Sequence, residues 1–281
     1  MTQLGGFLRL ARVSNLPTVW SNVLAASAIG GEPTGAALVQ VAIAISLLYT
    51  GGMFLNDVFD REIDTTERPA RPLPSGEITP FTASAAGLGM LVSGAGLLAV
   101  LNIQAGCAGI VLAIAIYVYN RWHKGYRLAP FVMGLCRALI YVATAAATAA
   151  VSAGVVGAAA SLLAYVAGLT FAAREEMYDR VSSWWPVALL TLPVAHALIA
   201  DNATPATLTW AALAITTMAI AVYWLYRRRA GDPGRAVSLL IAAIALNDAV
   251  VASAAGQAGI ALVCGGIFAL ALVLQRFVPA T

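Results

Sequence analysis

Asn56, Asp60 and Asp64 stand at i, i+4 and i+8 in the run Asn56-Asp57-Val58-Phe59-Asp60-Arg61-Glu62-Ile63-Asp64. Each step of four residues turns an α-helix by about 400° and advances it about 6 Å, so the three oxygen-bearing side chains share one face. An oxygen-only set suits a hard cation such as Mg2+, which keeps several waters and takes one or two carboxylates plus phosphate oxygens. The spacing therefore fits a metal–diphosphate complex. It fits equally well a solvated helix end with intrahelical Asp–Arg pairs. A second run, Glu175-Glu176-Met177-Tyr178-Asp179-Arg180, aligns position by position with Asn56-Asp57-Val58-Phe59-Asp60-Arg61. Each run follows an apolar span and the two spans are four apart, which fits a duplicated helical half divided between 1–127 and 128–281 or a chance match over six residues. The copy lacks a third acid, since Ser183 stands where Asp64 would. Two such half-sites would face each other across one cavity.

Basic partners are at hand. In Arg68-Pro69-Ala70-Arg71-Pro72-Leu73-Pro74-Ser75-Gly76 the prolines stiffen the backbone and Gly76 permits a turn, so Arg68 and Arg71 are held in place. Guanidinium forks suit diphosphate oxygens. Arg121 and Lys124 leave the next inner helix end. All of these also serve as plain sidedness signals. Arg137 does not, because it lies well inside an apolar segment. A buried arginine wants a counter-ion. Either Asp248, also intramembrane, or an anionic ligand would supply it.

The elements that must position these residues are membrane helices. Of 281 residues, 60% are hydrophobic and 10% charged, against roughly 25% charged in a soluble domain. That excludes a soluble globule, a disordered chain and a nucleic-acid binder. Ten apolar segments can be drawn, at 16–30, 36–56, 80–101, 105–121, 128–150, 154–175, 184–200, 206–226, 236–253 and 257–275. They leave no room for a second, soluble domain, so 1–281 reads as a single transmembrane unit. The last two segments also read as one long bent element, which would make nine. Thr79-Pro80, Thr204-Pro205 and Asp232-Pro233 each place a capping side chain before a proline at a helix start. Apart from Arg137, every Lys and Arg falls at the same alternating set of loops and ends. The positive-inside rule then puts both termini and both acidic runs in the cytoplasm, in a bacterial-type inner membrane. Arg9, Arg12, the apolar run and Ala26-Ser27-Ala28 mimic a signal peptide, but Asn15, Pro17, Trp20 and Asn22 interrupt its core. Cys107, Cys136 and Cys264 show no pairing pattern and read as structural thiols.

The acid run at 56–64, followed by Glu67-Arg68-Pro69-Ala70-Arg71-Pro72-Leu73-Pro74-Ser75-Gly76, closely resembles the first signature of the UbiA superfamily of intramembrane prenyltransferases. Asn56-Asp57-x-x-Asp60-Arg61-Glu62-Ile63-Asp64 is especially similar to the chlorophyll-synthase version. The resemblance implies an all-α polytopic membrane protein, nine or ten transmembrane helices in a ring around a central cavity open to the cytoplasm and to lipid. It implies transfer of a prenyl group from an allylic isoprenoid diphosphate to a lipophilic acceptor. Asn56, Asp60 and Asp64 would hold Mg2+–diphosphate, and Arg71, Arg121 and Lys124 would grip the diphosphate, with Arg68 and Arg137 as further substrate-binding groups. The second motif departs from the family's DxxxD. Glu175-x-x-x-Asp179 keeps the spacing with one longer acid. Together with the segment from Ala129 to Leu139 and Arg174-Glu175-Glu176, it resembles the EboC branch, where that motif is weakened.

The implied mechanism is metal-assisted ionisation of the allylic C–O bond, with Asp60, Asp64 and Asp179 as the central acids. Tyr117, Tyr119, Tyr141 and Tyr178 are candidates to line the cavity and face the cation, although packing explains each singly. His123 and His196 read as incidental. The rival class is a non-enzymatic membrane carrier or scaffold on the same fold, binding an isoprenoid or another amphipathic molecule.

Overall fold

The computed structural model describes residues 3–30, 35–177, 184–200 and 203–278, and of 3–4 and 174–177 the backbone alone. The described residues form helices joined by short loops: α1 Gln3–Leu10, α2 Pro17–Gly30, α3 Gly35–Glu67, α4 Pro80–Leu101, α5 Ile103–Trp122 and α6 Ala129–Thr148. These are followed by α7 Ala153–Met177, α8 Trp185–Leu190, α9 Leu192–Ala200, α10 Pro205–Arg227, α11 Asp232–Ala254 and α12 Ala258–Leu274. Seven of them, α3 to α7, α10 and α11, are long and apolar enough to cross a bilayer. Side chains such as Phe81, Val92, Val100, Ile199 and Leu262 point outward. Long apolar helices with greasy outer faces make this an integral membrane protein.

Every one of the ten apolar segments is helical, but three differ from a simple span. The segment from 184 breaks at Thr191. Pro193 has no N–H to bond the Leu189 carbonyl, and Thr191 Oγ1 donates to the Ala188 carbonyl at 2.9 Å. The last two segments are two helices and not one bent one. The Gly256 N–H bonds the Ser253 carbonyl and the Gln257 N–H bonds that of Ala252, at 3.0 and 2.9 Å. Gly256 sits at φ +79°, where a glycine closes a helix at no steric cost. α2, with 14 residues, and α12, with 17, are shorter than a full span.

Two of the three expected caps hold: Thr79 accepts from the Thr82 N–H and Thr204 from the Thr207 N–H. The third does not. Gly231 occupies the cap of α11, and the Asp232 carboxylate instead takes two hydrogen bonds of 2.8 Å from Arg227. The same carboxylate also accepts the backbone N–H of Arg229 at 3.1 Å, so it ties the loop before α11 and does not cap the helix.

α11 is apolar on all sides and is the innermost helix. Every residue from Ala242 to Ser253 is buried, against α2, α7, α9, α10 and α12. α4 is the opposite case. Its buried residues form one stripe, Ala83, Gly87, Leu91, Gly94 and Leu98, pressed on α3. There a Cβ on Gly94 would stand 2.7 Å from the Ala44 carbonyl oxygen. This close approach fixes α3, which carries the acid run.

Candidate functional site

α3 runs through to Glu67, so the acid run lies on a continuous helix. Asn56, Asp60 and Asp64 share its buried face as their spacing predicts, at 7%, 8% and 4% exposure. Asp57 joins them at 5%. It lies i−3 from Asp60, so the stripe was present in the sequence but was read without it. Arg61, Glu62 and Glu67 face outward.

Each acid meets a base from another part of the chain. Arg71 lies 2.6 Å from Asp64 Oδ2 and 3.6 Å from Asp57 Oδ1. Lys124 Nζ and His123 Nε2, from the end of α5, stand 3.0 and 3.3 Å from Asp60 Oδ1. Arg12, just before α2, donates to Asn56 Oδ1 at 2.9 Å and lies 3.3 Å from Asp57. The Asn56 amide donates to Asn120 Oδ1 at 3.3 Å, and Asn120 in turn donates to the Gly52 carbonyl at 2.9 Å. Charges so buried are tolerable only when paired in this way.

The loop at 68–76 is as stiff as its prolines predict. Ser75 and Ile78 N–H groups bond the Arg71 and Pro72 carbonyls at 3.0 and 3.1 Å. Leu73 and Ile78 anchor it in an apolar cluster with Leu10 and Phe54, and Glu77 pairs with Arg9. Arg71 is thereby aimed at the acids. Arg68 lines the outer edge of the cleft beside Glu67. Arg121 is exposed and does not line this cleft, because it sits about 100° round α5 from Asn120.

The cleft opens into an apolar cavity of about 240 Å3. Tyr119, Thr170 and Ala173 border both. The cavity is walled by α3, α5, α6, α7 and α11, through residues such as Leu48, Ile116, Ile140, Leu169 and Ile241. Of the tyrosines considered, Tyr119 lines it, stacked on His123 at 5.0 Å. Tyr117 packs edge-on against Phe59 at 5.8 Å. Tyr141 is buried and donates to Asp248 at 2.6 Å. Neither borders the cavity, whereas Tyr49 does.

Arg137 also lines this cavity, and it is not in direct contact with Asp248. Its Nη1 donates to Asn22 Oδ1 at 2.9 Å and its Nη2 to Thr18 Oγ1 at 3.1 Å. Asn22 then donates to Asp248 Oδ2 at 2.8 Å, so an amide stands between the two charges.

The second acidic run is only partly in view. α7 brings Thr170 and Ala173 to the cleft that Asp60 and Asp64 border. Glu175 and Glu176 follow on the same helix, but their side chains, and Tyr178, Asp179, Arg180 and Ser183 altogether, lie outside the described residues. Among the described residues no group of three or more His, Cys, Asp or Glu side chains is arranged to hold a metal by itself.

Sequence missed Arg12, Asp57, Asn120 and His123. The first was read as a sidedness signal and the last as incidental; only the packing of the α1–α2 turn and α5 on α3 reveals them.

The profile of the UbiA prenyltransferase family matches residues 14–280. The chain is similar to the digeranylgeranylglyceryl phosphate synthase of Methanopyrus kandleri, 31% identical over 127 residues, 45% of this chain and 47% of that protein. It is similar to the synthase of that name from Thermococcus gammatolerans, 32% identical over 152 residues, 54% of this chain and 53% of that one. The chain thus spans about half the length of these curated relatives. Among solved structures, a UbiA homologue from Aeropyrum pernix K1 superposes with a TM-score of 0.63 at 17% identity, covering 94% of this chain and 98% of that one. A UbiA homologue from Archaeoglobus fulgidus, solved with DMAPP and Mg2+, gives 0.58 at 15% identity, covering 96% and 99%.

Proposed function

We propose that this chain, which belongs to the UbiA prenyltransferase family, is a Mg2+-dependent transferase moving a prenyl group from an allylic isoprenoid diphosphate to a lipophilic acceptor. The observation that carries this reading is the interleaving of carboxylates on α3 with cationic groups from three other segments, at the mouth of an apolar cavity. A metal–diphosphate complex offers both signs of charge, so it can replace both partners of those pairs. The donor set fits a hard cation: Asn56, Asp60 and Asp64 present oxygen alone, and Asp60 Oδ1 is buried with ion-pair neighbours but no hydrogen bond of good geometry. These three side chains would hold Mg2+, with Glu175 and Asp179 completing its surroundings from the end of α7. When bound, Mg2+ neutralises charge on the departing diphosphate. The A. fulgidus homologue's DMAPP and Mg2+ support the choice of ligand.

Arg71, Lys124 and Arg12 receive the diphosphate oxygens, with Arg68 at the cleft edge. Their charge stabilises the leaving group as the allylic C–O bond breaks. The apolar wall holds the isoprenoid tail and keeps water from the allylic cation. Tyr49 and Tyr119 border the cavity and are the rings within reach of that cation. An electron-rich atom of the acceptor then forms the new bond and loses its proton. The distribution of Lys and Arg supports a cytoplasmic position for this cleft and for both termini.

The test is binding of geranylgeranyl diphosphate to the purified protein in detergent. Binding should require Mg2+ and should fall at least about tenfold in Asp60→Asn. Binding that ignores Mg2+, and is unchanged in a folded Asp60→Asn protein, would leave the acid stripe a merely structural helix end.

A further inference from the structure

The bases at the cleft have acids against them: Arg71 has Asp64 and Asp57, Arg12 has Asp57, and Lys124 has Asp60. The turn between α5 and α6 is built differently. It carries Arg121, Lys124 and Arg127, while no Asp or Glu occurs anywhere between Glu77 and Glu175. Lys124 reaches across to Asp60 on α3. Arg121 and Arg127 are exposed and make no ion pair among the described residues.

A groove of about 480 Å3 lies at this turn. Val118 and Trp122, one turn apart on α5, form one wall, and Ala129 and Val132 on α6 form the other. Arg121 is three residues from Val118 and so stands over the same side of α5. Trp122 and Tyr126 keep 54% and 48% of their surface exposed. α6 opens at Ala129 without a capping side chain, so the positive end of its dipole adds to the field of the arginines. Bases and exposed aromatic rings around an apolar groove at a helix end are what a membrane–water boundary selects. The charge of the turn calls for an anion, and the groove walls call for a hydrocarbon chain. A soluble phosphate would use the first and not the second. A lipid with no net charge would use the second and not the first.

We propose that the α5–α6 groove binds an anionic phospholipid of the surrounding leaflet, its phosphate against Arg121 and Arg127 and the first part of an acyl chain between Val118 and Val132. The proposal does not rest on the transferase reading, because neither arginine pairs with the acids of α3.

The probe is phosphatidylglycerol with brominated acyl chains, titrated into phosphatidylcholine vesicles that hold the purified protein, with EDTA present. Bromine quenches tryptophan on contact, so Trp122 reports on the groove, and brominated phosphatidylcholine sets the baseline. Wild type should prefer phosphatidylglycerol at least about fivefold. The preference should fall in Arg121→Gln and in Arg127→Gln, and vanish when both are combined. It should persist in Arg121→Lys combined with Arg127→Lys, which keeps the charge. It should also persist in Arg229→Gln combined with Arg235→Gln, two exposed arginines of the α10–α11 turn. In Trp122→Phe the quenching that follows the preference should be lost. Equal binding of the two lipids by wild type would overturn the proposal and leave Arg121 and Arg127 as sidedness signals. So would a preference unchanged in the Arg121 and Arg127 Gln pair, or one lost equally in the Arg229 and Arg235 pair, which would mark a diffuse attraction of the whole face. Displacement of the lipid by equimolar glycerol 1-phosphate would overturn it too, since the groove would then take a soluble anion.

Discussion

Arg71 is held by its loop within 2.6 Å of Asp64 and 3.6 Å of Asp57, both nearly buried. Removing the guanidinium in Arg71→Ala leaves two carboxylates short of a partner. The cost expected is about 1–3 kcal/mol of stability. A bound cation supplies the same sign of charge, so Mg2+ should raise the melting temperature of the variant more than that of wild type. Equal Mg2+ responses would show that the cation does not reach these acids. The second acidic run invites a different comparison. Asp179, outside the described residues, belongs to the sparser set, with Ser183 in place of a third acid. Mg2+ tolerates poor coordination badly, so the first run should hold the tighter cation. Asp179→Asn should keep partial Mg2+-dependent diphosphate binding where Asp60→Asn loses it. A metal titration on both variants reads this directly, and equal losses would make the second run a full partner.

Helices place these residues, and here the sequence was legible to different depths. The shared face of Asn56, Asp60 and Asp64 follows from helical spacing alone and holds. The stiff loop follows from its prolines and holds. Thr79 and Thr204 cap as their positions require, while Asp232 does not, because it is already the first residue of α11 and its carboxylate turns back to Arg227 and the Arg229 N–H. His123 and Arg12 could not be assigned because their partners are 63 and 45 positions away in sequence. The interposed Asn22 between Arg137 and Asp248 is of the same kind. Helix contact also yields a prediction. A Cβ at Gly94 meets a backbone carbonyl at 2.7 Å, whereas one at Gly96 meets nothing within 4 Å. Gly94→Leu should therefore part α3 from α4, costing about 1–3 kcal/mol and weakening diphosphate binding through the displaced acids. Gly96→Ala should be neutral or stabilising by up to about 1 kcal/mol. Thermal unfolding in detergent distinguishes them, and equal melting temperatures would contradict the close α3–α4 contact.

Among the described residues, the polar cleft lies at the ends of α3 and α5, and large apolar side chains are exposed along α4, α5, α10 and α12. In the reading proposed here, the placement of Arg and Lys residues would put the cleft end in the cytoplasm. Thr66 is exposed at the end of α3 beside the cleft, so Thr66→Cys should resist a membrane-impermeant thiol reagent in intact cells and react after lysis. Labelling in intact cells would invert the topology.

The central claim is that the cleft breaks an allylic diphosphate and does not merely carry one. Release of inorganic pyrophosphate from geranylgeranyl diphosphate, with membrane lipid extract as the source of acceptor, tests it most directly. The account predicts Mg2+-dependent release that requires the extract, yields a prenylated lipid product, and disappears in Asp60→Asn. Tight Mg2+-dependent binding with no pyrophosphate released under any acceptor fraction would contradict it and identify the protein as a carrier on a transferase fold.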